Sequence, residues 1–165
     1  ELGMVEAILI GVAALGAAIP DSPSLETAIE RALAEIPSDS GAAAAISLGR
    51  SQAGRGKGAE VIRAHYGDLS PVHTLNNLAL VVWSLLGNTG FSAAVGDVVA
   101  AGLDTDCNGA TVGGLWGLGG GEIPLAWTQP WQGRVVVSLA GFGEIDLETL
   151  VDRTLVVAER IEREA

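Results

Sequence analysis

Residues 102–118 read GLDTDCNGATVGGLWGL, two aspartates one residue apart followed by a run without a single charged side chain. Asp104, Asp106, Asn108 and Gly109 match the opening of a calcium loop, where oxygen ligands alternate and a glycine permits a sharp turn. The match then fails. The twelfth position, which should be a bidentate glutamate, is Leu115, and residues 110–115 (ATVGGL) add no carboxylate. Two readings stay open from the residues alone. In one, Asp106 caps a helix beginning at Cys107 or Asn108, worth about 1 kcal/mol, while Asp104 is solvated. In the other, the pair holds a cation, because carboxylates this close repel each other and no Lys or Arg lies nearby in the chain to separate them.

Outward from this stretch the pattern is helical. PVHTLNNLALVVWSLLG (71–87) predicts a long apolar helix starting after Pro71, and FSAAVGDVVAAG (91–102) predicts another ending at Gly102. Upstream, the run from Met4 stops at Pro20. SLETAIERALAEIP then places Leu25, Ala28, Ile29, Ala32, Leu33 and Ile36 on one stripe, with Ser38 to Ser40 available to cap the alanine-rich helix that follows. AEVIRAHYG (59–67) predicts a short helix. Downstream, 119–134 is turn-rich, 135–143 is a short strand or an extended connection, and DLETLVDRTLVVAERIER (146–163) forms a final helix. About eight helices with no alternation of strands predict an all-α fold, taken as a single domain over 1–165.

Composition narrows the partners. Twenty Asp and Glu against nine Lys and Arg give a net charge of −11, which disfavours nucleic acid, and no Lys or Arg occurs between Arg63 and Arg134. The single cysteine excludes an internal disulfide and a thiolate-rich zinc site, fitting a reducing, cytoplasmic setting. The apolar run Met4–Ile19 carries Glu6 and has no basic residue ahead of it, so it reads as a buried helix rather than a membrane or targeting segment. QAGRGKGAE (52–60) is a small basic, glycine-rich segment without Walker spacing or a preceding strand, and reads as a loop rather than a phosphate-gripping element. The hydrophobic content of 48% and the initial Glu1 suggest a piece of a longer polypeptide with apolar surface awaiting a partner.

Gly102-Leu103-Asp104-Thr105-Asp106-Cys107-Asn108-Gly109 resembles the C-terminal Gly-Gly-Asp-Thr-Asp-[Thr/Ser] motif of the ADP-ribosylglycohydrolase family. The likeness extends through IPSDS, HTLNNLALVVW and GFGEIDLETLVDRT, so it covers nearly the whole chain. The resemblance implies an all-α orthogonal multi-helix bundle, of which this chain is the C-terminal half. It implies a hydrolase with two magnesium or manganese ions that cleaves the glycosidic bond between ADP-ribose and a protein side chain or small acceptor. It maps the metal ligands onto Asp104, Asp106 and, in the hydroxyl position, Cys107. The thiol departs from the pattern. A neutral thiol ligates hard ions poorly, so either Cys107 only lines the site or its neighbours Thr105 and Asn108 help, and Cys107 is expected to pack as a small buried residue. The family's N-terminal Thr-Asp-Asp ligand group and glycine-containing phosphate segment have no match here, which predicts a missing N-terminal half and little or no turnover by this chain alone.

His73, Asn76, Asn77 and Ser84 fall at helical spacing on the 71–87 segment. His73 and Asn77 are candidates to orient Asp104 or line the substrate site, and the plainer role is a satisfied polar network between helices or a cap after Pro71. Trp83 reads as a core anchor, Trp127 and Trp131 as exposed, and Glu122 as solvated. No catalytic acid is identified. Two other classes compete, a non-catalytic crystallin-like scaffold relative, which Cys107 would suit, and a stand-alone divalent-cation-binding module.

Overall fold

The computed structural model describes residues 12–164. Among the described residues the fold is all-α apart from one small hairpin, and the chain divides into two compact units, Glu1–Glu122 and Ile123–Ala165. Of the helix predicted over Met4–Ile19, residues 12–18 are helical (α1), with Leu15 and Ile19 buried; the remainder lies outside the described residues.

The first unit continues with α2 (Leu25–Ala34), α3 (Gly41–Gln52), α4 (Gly58–His65), α5 (Thr74–Gly87), α6 (Phe91–Ala100) and α7 (Thr105–Leu118). Serine hydroxyls set two of the starts. Ser24 accepts the Thr27 N–H at 3.2 Å, and Ser40 accepts the Ala43 N–H at 3.2 Å. The centre is α5, whose Leu78, Ala79, Leu80, Val81, Val82 and Leu85 are all buried, as a helix apolar on every side requires. It packs against α3, α4, α6 and α7. Across the α2–α3 surface, Arg50 pairs with Glu26 and Glu30, and those carboxylates raise its pKa further, a contribution of little weight at an exposed position.

Contact between α3 and α5 depends on Gly49. A Cβ there would run into the Ala79 carbonyl oxygen and lie 2.9 Å from Val82 Cβ, so the helices could not approach this closely with any larger residue. Gly49→Ala therefore reverses the usual sign of a glycine-to-alanine change within a helix. It destabilises by about 1–3 kcal/mol through overpacking, outweighing the gain in helix propensity of about 1 kcal/mol. Urea unfolding checks this, and Gly96→Ala, where a Cβ meets open space on α6, is the control expected to be neutral or stabilising.

In the second unit, the segment predicted as turns contains a short helix, α8 (Leu125–Thr128), running into a 3-10 turn, Gln129–Trp131. Pro124 and Pro130 fix φ at positions compatible with these single turns, which are too short to show a period in sequence. Strands β1 (Arg134–Val136) and β2 (Glu144–Asp146) form an antiparallel hairpin with Val135 opposite Ile145, so the ambiguous 135–143 segment is partly strand and mostly connection. Helix α9 (Leu147–Glu164) begins where Asp146 Oδ1 accepts the Thr149 N–H at 3.1 Å, and Arg153 lies 4.5 Å from the centre of the Phe142 ring. Among the described residues no helix is long and apolar enough to cross a membrane.

Candidate metal centre

Helix α6 hands the chain to α7 through a four-residue turn that places the aspartates. Gly102 (φ +82°) and Leu103 (φ +64°) are both left-handed, a conformation that suits glycine but costs leucine about 1 kcal/mol. Two side chains brace the turn from outside it. Arg63 Nη1 donates to the Ala101 carbonyl at 3.1 Å, and the Asp104 N–H donates to Asn77 Oδ1 at 3.3 Å. Leu103 itself packs against the core, which offsets its strain.

The helix then starts two to three residues earlier than the capping reading requires. Thr105 is its first residue, Asp104 occupies the N-cap position without making a side-chain cap bond, and Asp106 lies inside the first turn. The proposed cap by Asp106 is thus corrected, because the left-handed pair at 102–103 turns the backbone helical before Asp106 is reached. Neither carboxylate is used as a cap, and among the described residues neither is in an ion pair. One carboxylate oxygen from each, together with Cys107 Sγ, lie within 4.8 Å of one another.

Cys107 is exposed, not buried as expected. It sits in the first turn of α7 beside Asn108, and it is Asn108 that faces inward toward α5. The Asp104 carboxylate, hydrogen-bonded to the thiol, pushes the Cys107 pKa up, with a smaller push from the charge of Asp106. The donor set fits a hard divalent ion through its two unpaired carboxylates at a helix N-terminus, and departs from that fit at the thiol.

Behind the aspartates, Asn77 ties the site together. Its Oδ1 accepts from Asn108 Nδ2 at 2.7 Å as well as from the Asp104 N–H, while its Nδ2 donates to the Pro71 and His73 carbonyls at 2.9 and 2.8 Å. Asn76 closes the network by donating to the Ser70 carbonyl and accepting from the Asn77 N–H. His73 caps α5, its Nδ1 accepting from the Leu75 N–H at 3.2 Å. Ser84 turns instead to α6, donating to the Ala94 carbonyl. Thr105 opens α7 beside the two aspartates. A cavity of about 210 Å³ between α5 and α7 has Asp104, Cys107 and Asn108 on one side and Val72, Leu78 and Val81 on another.

Sequence reasoning missed Leu103 and Arg63. The signal for the first was a leucine where the resembled motif has its second glycine; nothing local pointed to the second, which arrives from α4. Trp127 and Trp131 are exposed as expected, and Trp116 is half-buried edge-on to Phe91, its indole donating to the Glu122 carbonyl. Trp83 is only half-buried.

With this geometry in place, comparison with known proteins gives one result. A family model described as ADP-ribosylglycohydrolase matches residues 3–164. No curated protein and no solved structure matches the chain.

Proposed function

The chain belongs to the ADP-ribosylglycohydrolase family, hydrolases of ADP-ribose linkages, and on that premise we propose that Asp104 and Asp106 are its contribution to a dinuclear magnesium or manganese centre. The reaction served is cleavage of the glycosidic bond between ADP-ribose and a protein side chain or small acceptor. The observation that carries this reading is the convergence of two uncapped, unpaired carboxylates within 4.8 Å at the start of α7. Divalent ions at such a site orient ribose hydroxyls and polarise water.

The chain's own residues do the positioning. Asp104 and Asp106 supply hard anionic oxygens, Asn77 holds the Asp104 backbone, and Asn108 locks the first turn of α7 onto α5. Leu78 and Val81 provide an apolar wall in the cavity that Asp104 lines. Ions of this kind take about six oxygen ligands each, so two carboxylates leave most positions to other groups. The remaining ligands would come from groups outside this chain, and turnover without them should be low.

Release of ADP-ribose from an ADP-ribosylated protein, with manganese present, tests this. Turnover should require the chain together with a polypeptide supplying the Thr-Asp-Asp ligand group, and should vanish in Asp104→Asn. Manganese binding without any release in that complete system would favour the second reading, a scaffold without catalysis, which the exposed thiol of Cys107 supports. Cys107→Ser separates the two further. A hydroxyl restores the harder donor, and manganese affinity should rise by about three- to ten-fold in a titration of the chain.

A further inference from the structure

A second cleft, of about 440 Å³, lies where the α3–α4 loop meets α4 and the ends of α5 and α6. Arg55, Lys57 and Arg63 line it, opposed by Glu60 and Asp97, so a chain of net charge −11 carries a local cationic excess here. These three cations make no ion pair among the described residues; Arg31 and Arg153 make none either, but the first is spent on the Asp21 carbonyl and Ser22 and the second on the Phe142 ring, so the cleft is where unpaired cations gather. Three cations against two carboxylates in one cleft leave it a net positive lining that suits an anion.

The loop that carries two of them is seated, not loose. Gly58 lies so close to the Trp83 indole that a Cβ there would come within 2.8 Å of its Cδ1, and a Cβ on Gly87 would sit 3.1 Å from the Gly54 nitrogen. Gly54 takes φ +69°, and the turn is closed by Gly58 N–H to the Arg55 carbonyl at 2.9 Å. One N–H of Arg63 is committed to the Ala101 carbonyl, which fixes the guanidinium and leaves its other donors for a ligand. Asp97 is engaged by Asn88 Nδ2 at 3.2 Å, and Lys57, the N-cap residue of α4, makes no side-chain cap bond.

We propose that this cleft binds the phosphate group of a small organic phosphate, with Arg55, Lys57 and Arg63 as its cationic donors and Trp83 as an aromatic wall for the organic part. The cleft is of small-molecule size, larger than a lone phosphate needs. The inference does not use the carboxylates of α7; the two sites share only Arg63, which braces the turn before Asp104.

Calorimetric titration of the full chain with AMP and with inorganic pyrophosphate tests it. AMP should bind saturably and more tightly than pyrophosphate, weaken with added salt, and lose about ten-fold or more in affinity in the Arg55→Ala/Lys57→Ala variant. Both residues are exposed loop positions, so unchanged helical circular dichroism is expected and serves as the folding control. Asp104→Asn should leave AMP affinity unaltered, which separates this site from the metal reading. No saturable binding of AMP, whether or not pyrophosphate binds, or AMP binding indifferent to the double substitution, would overturn the proposal.

Discussion

Asp104→Asn lowers manganese affinity by about a hundred-fold or more, and the Asp104→Asn/Asp106→Asn pair removes specific binding altogether. Losing even a group that supports a ligand costs about ten- to a hundred-fold, so loss of an anionic ligand should sit at or beyond the upper end of that range. Asparagine keeps the shape of the N-cap residue and its backbone bonds to Asn77 and Asn108, so the change is electrostatic rather than structural. The metal-free protein should respond very differently. Removing one of two neighbouring anions relieves their repulsion while giving up a helix-dipole gain of about 0.3–1 kcal/mol, and the two nearly cancel. Unfolding of the apo chain should therefore move little while the manganese titration, read from the free-ion EPR signal, moves greatly. Unchanged manganese affinity in the double variant would reject the metal site outright.

What could be read from sequence followed from local periodicity. The apolar run Leu78–Val82 announced a buried helix, and Ser24 and Ser40 announced their helix starts, because each signal lies within a few residues of its effect. The start of α7 was misplaced because it is fixed by the left-handed Leu103 and by braces from Arg63 and Asn77, which lie 40 and 26 residues upstream of that residue. Spacing identified Asp104 and Asp106 as a pair, but not that both would be left uncapped. The exposure of Cys107 turned on which residue of the first turn faces α5, a register set by the Asn77–Asn108 bond and invisible to composition. The GRGKG segment read as an ordinary loop because its seating on Trp83 and Gly87 is tertiary. Short elements such as α8 were lost for lack of length.

The second large effect concerns that bond. Asn77→Leu should destabilise the chain by about 3–5 kcal/mol although the side chains are close in size. It strands the Asn108 amide, which is 2% exposed, and it removes the acceptor of the Asp104 N–H and the donor to the Pro71 and His73 carbonyls. Each buried polar group left unsatisfied costs about 1–3 kcal/mol, and the total is held down only by whatever water reaches the two carbonyls. Asn108→Leu should cost less, since Asn77 keeps its other partners. The double substitution should fall short of the sum by about 1–2 kcal/mol, because once Asn77 is gone the Asn108 amide is already a liability that leucine removes. Urea unfolding of the four proteins measures this coupling. Below the unfolding midpoint, Asn77→Leu should also bind manganese more weakly than wild type, because Asp104 loses the anchor that holds its strained turn. Additive costs across the cycle, with manganese affinity intact in the folded Asn77→Leu chain, would reduce Asn77 to one more core position and detach it from the carboxylates it now supports.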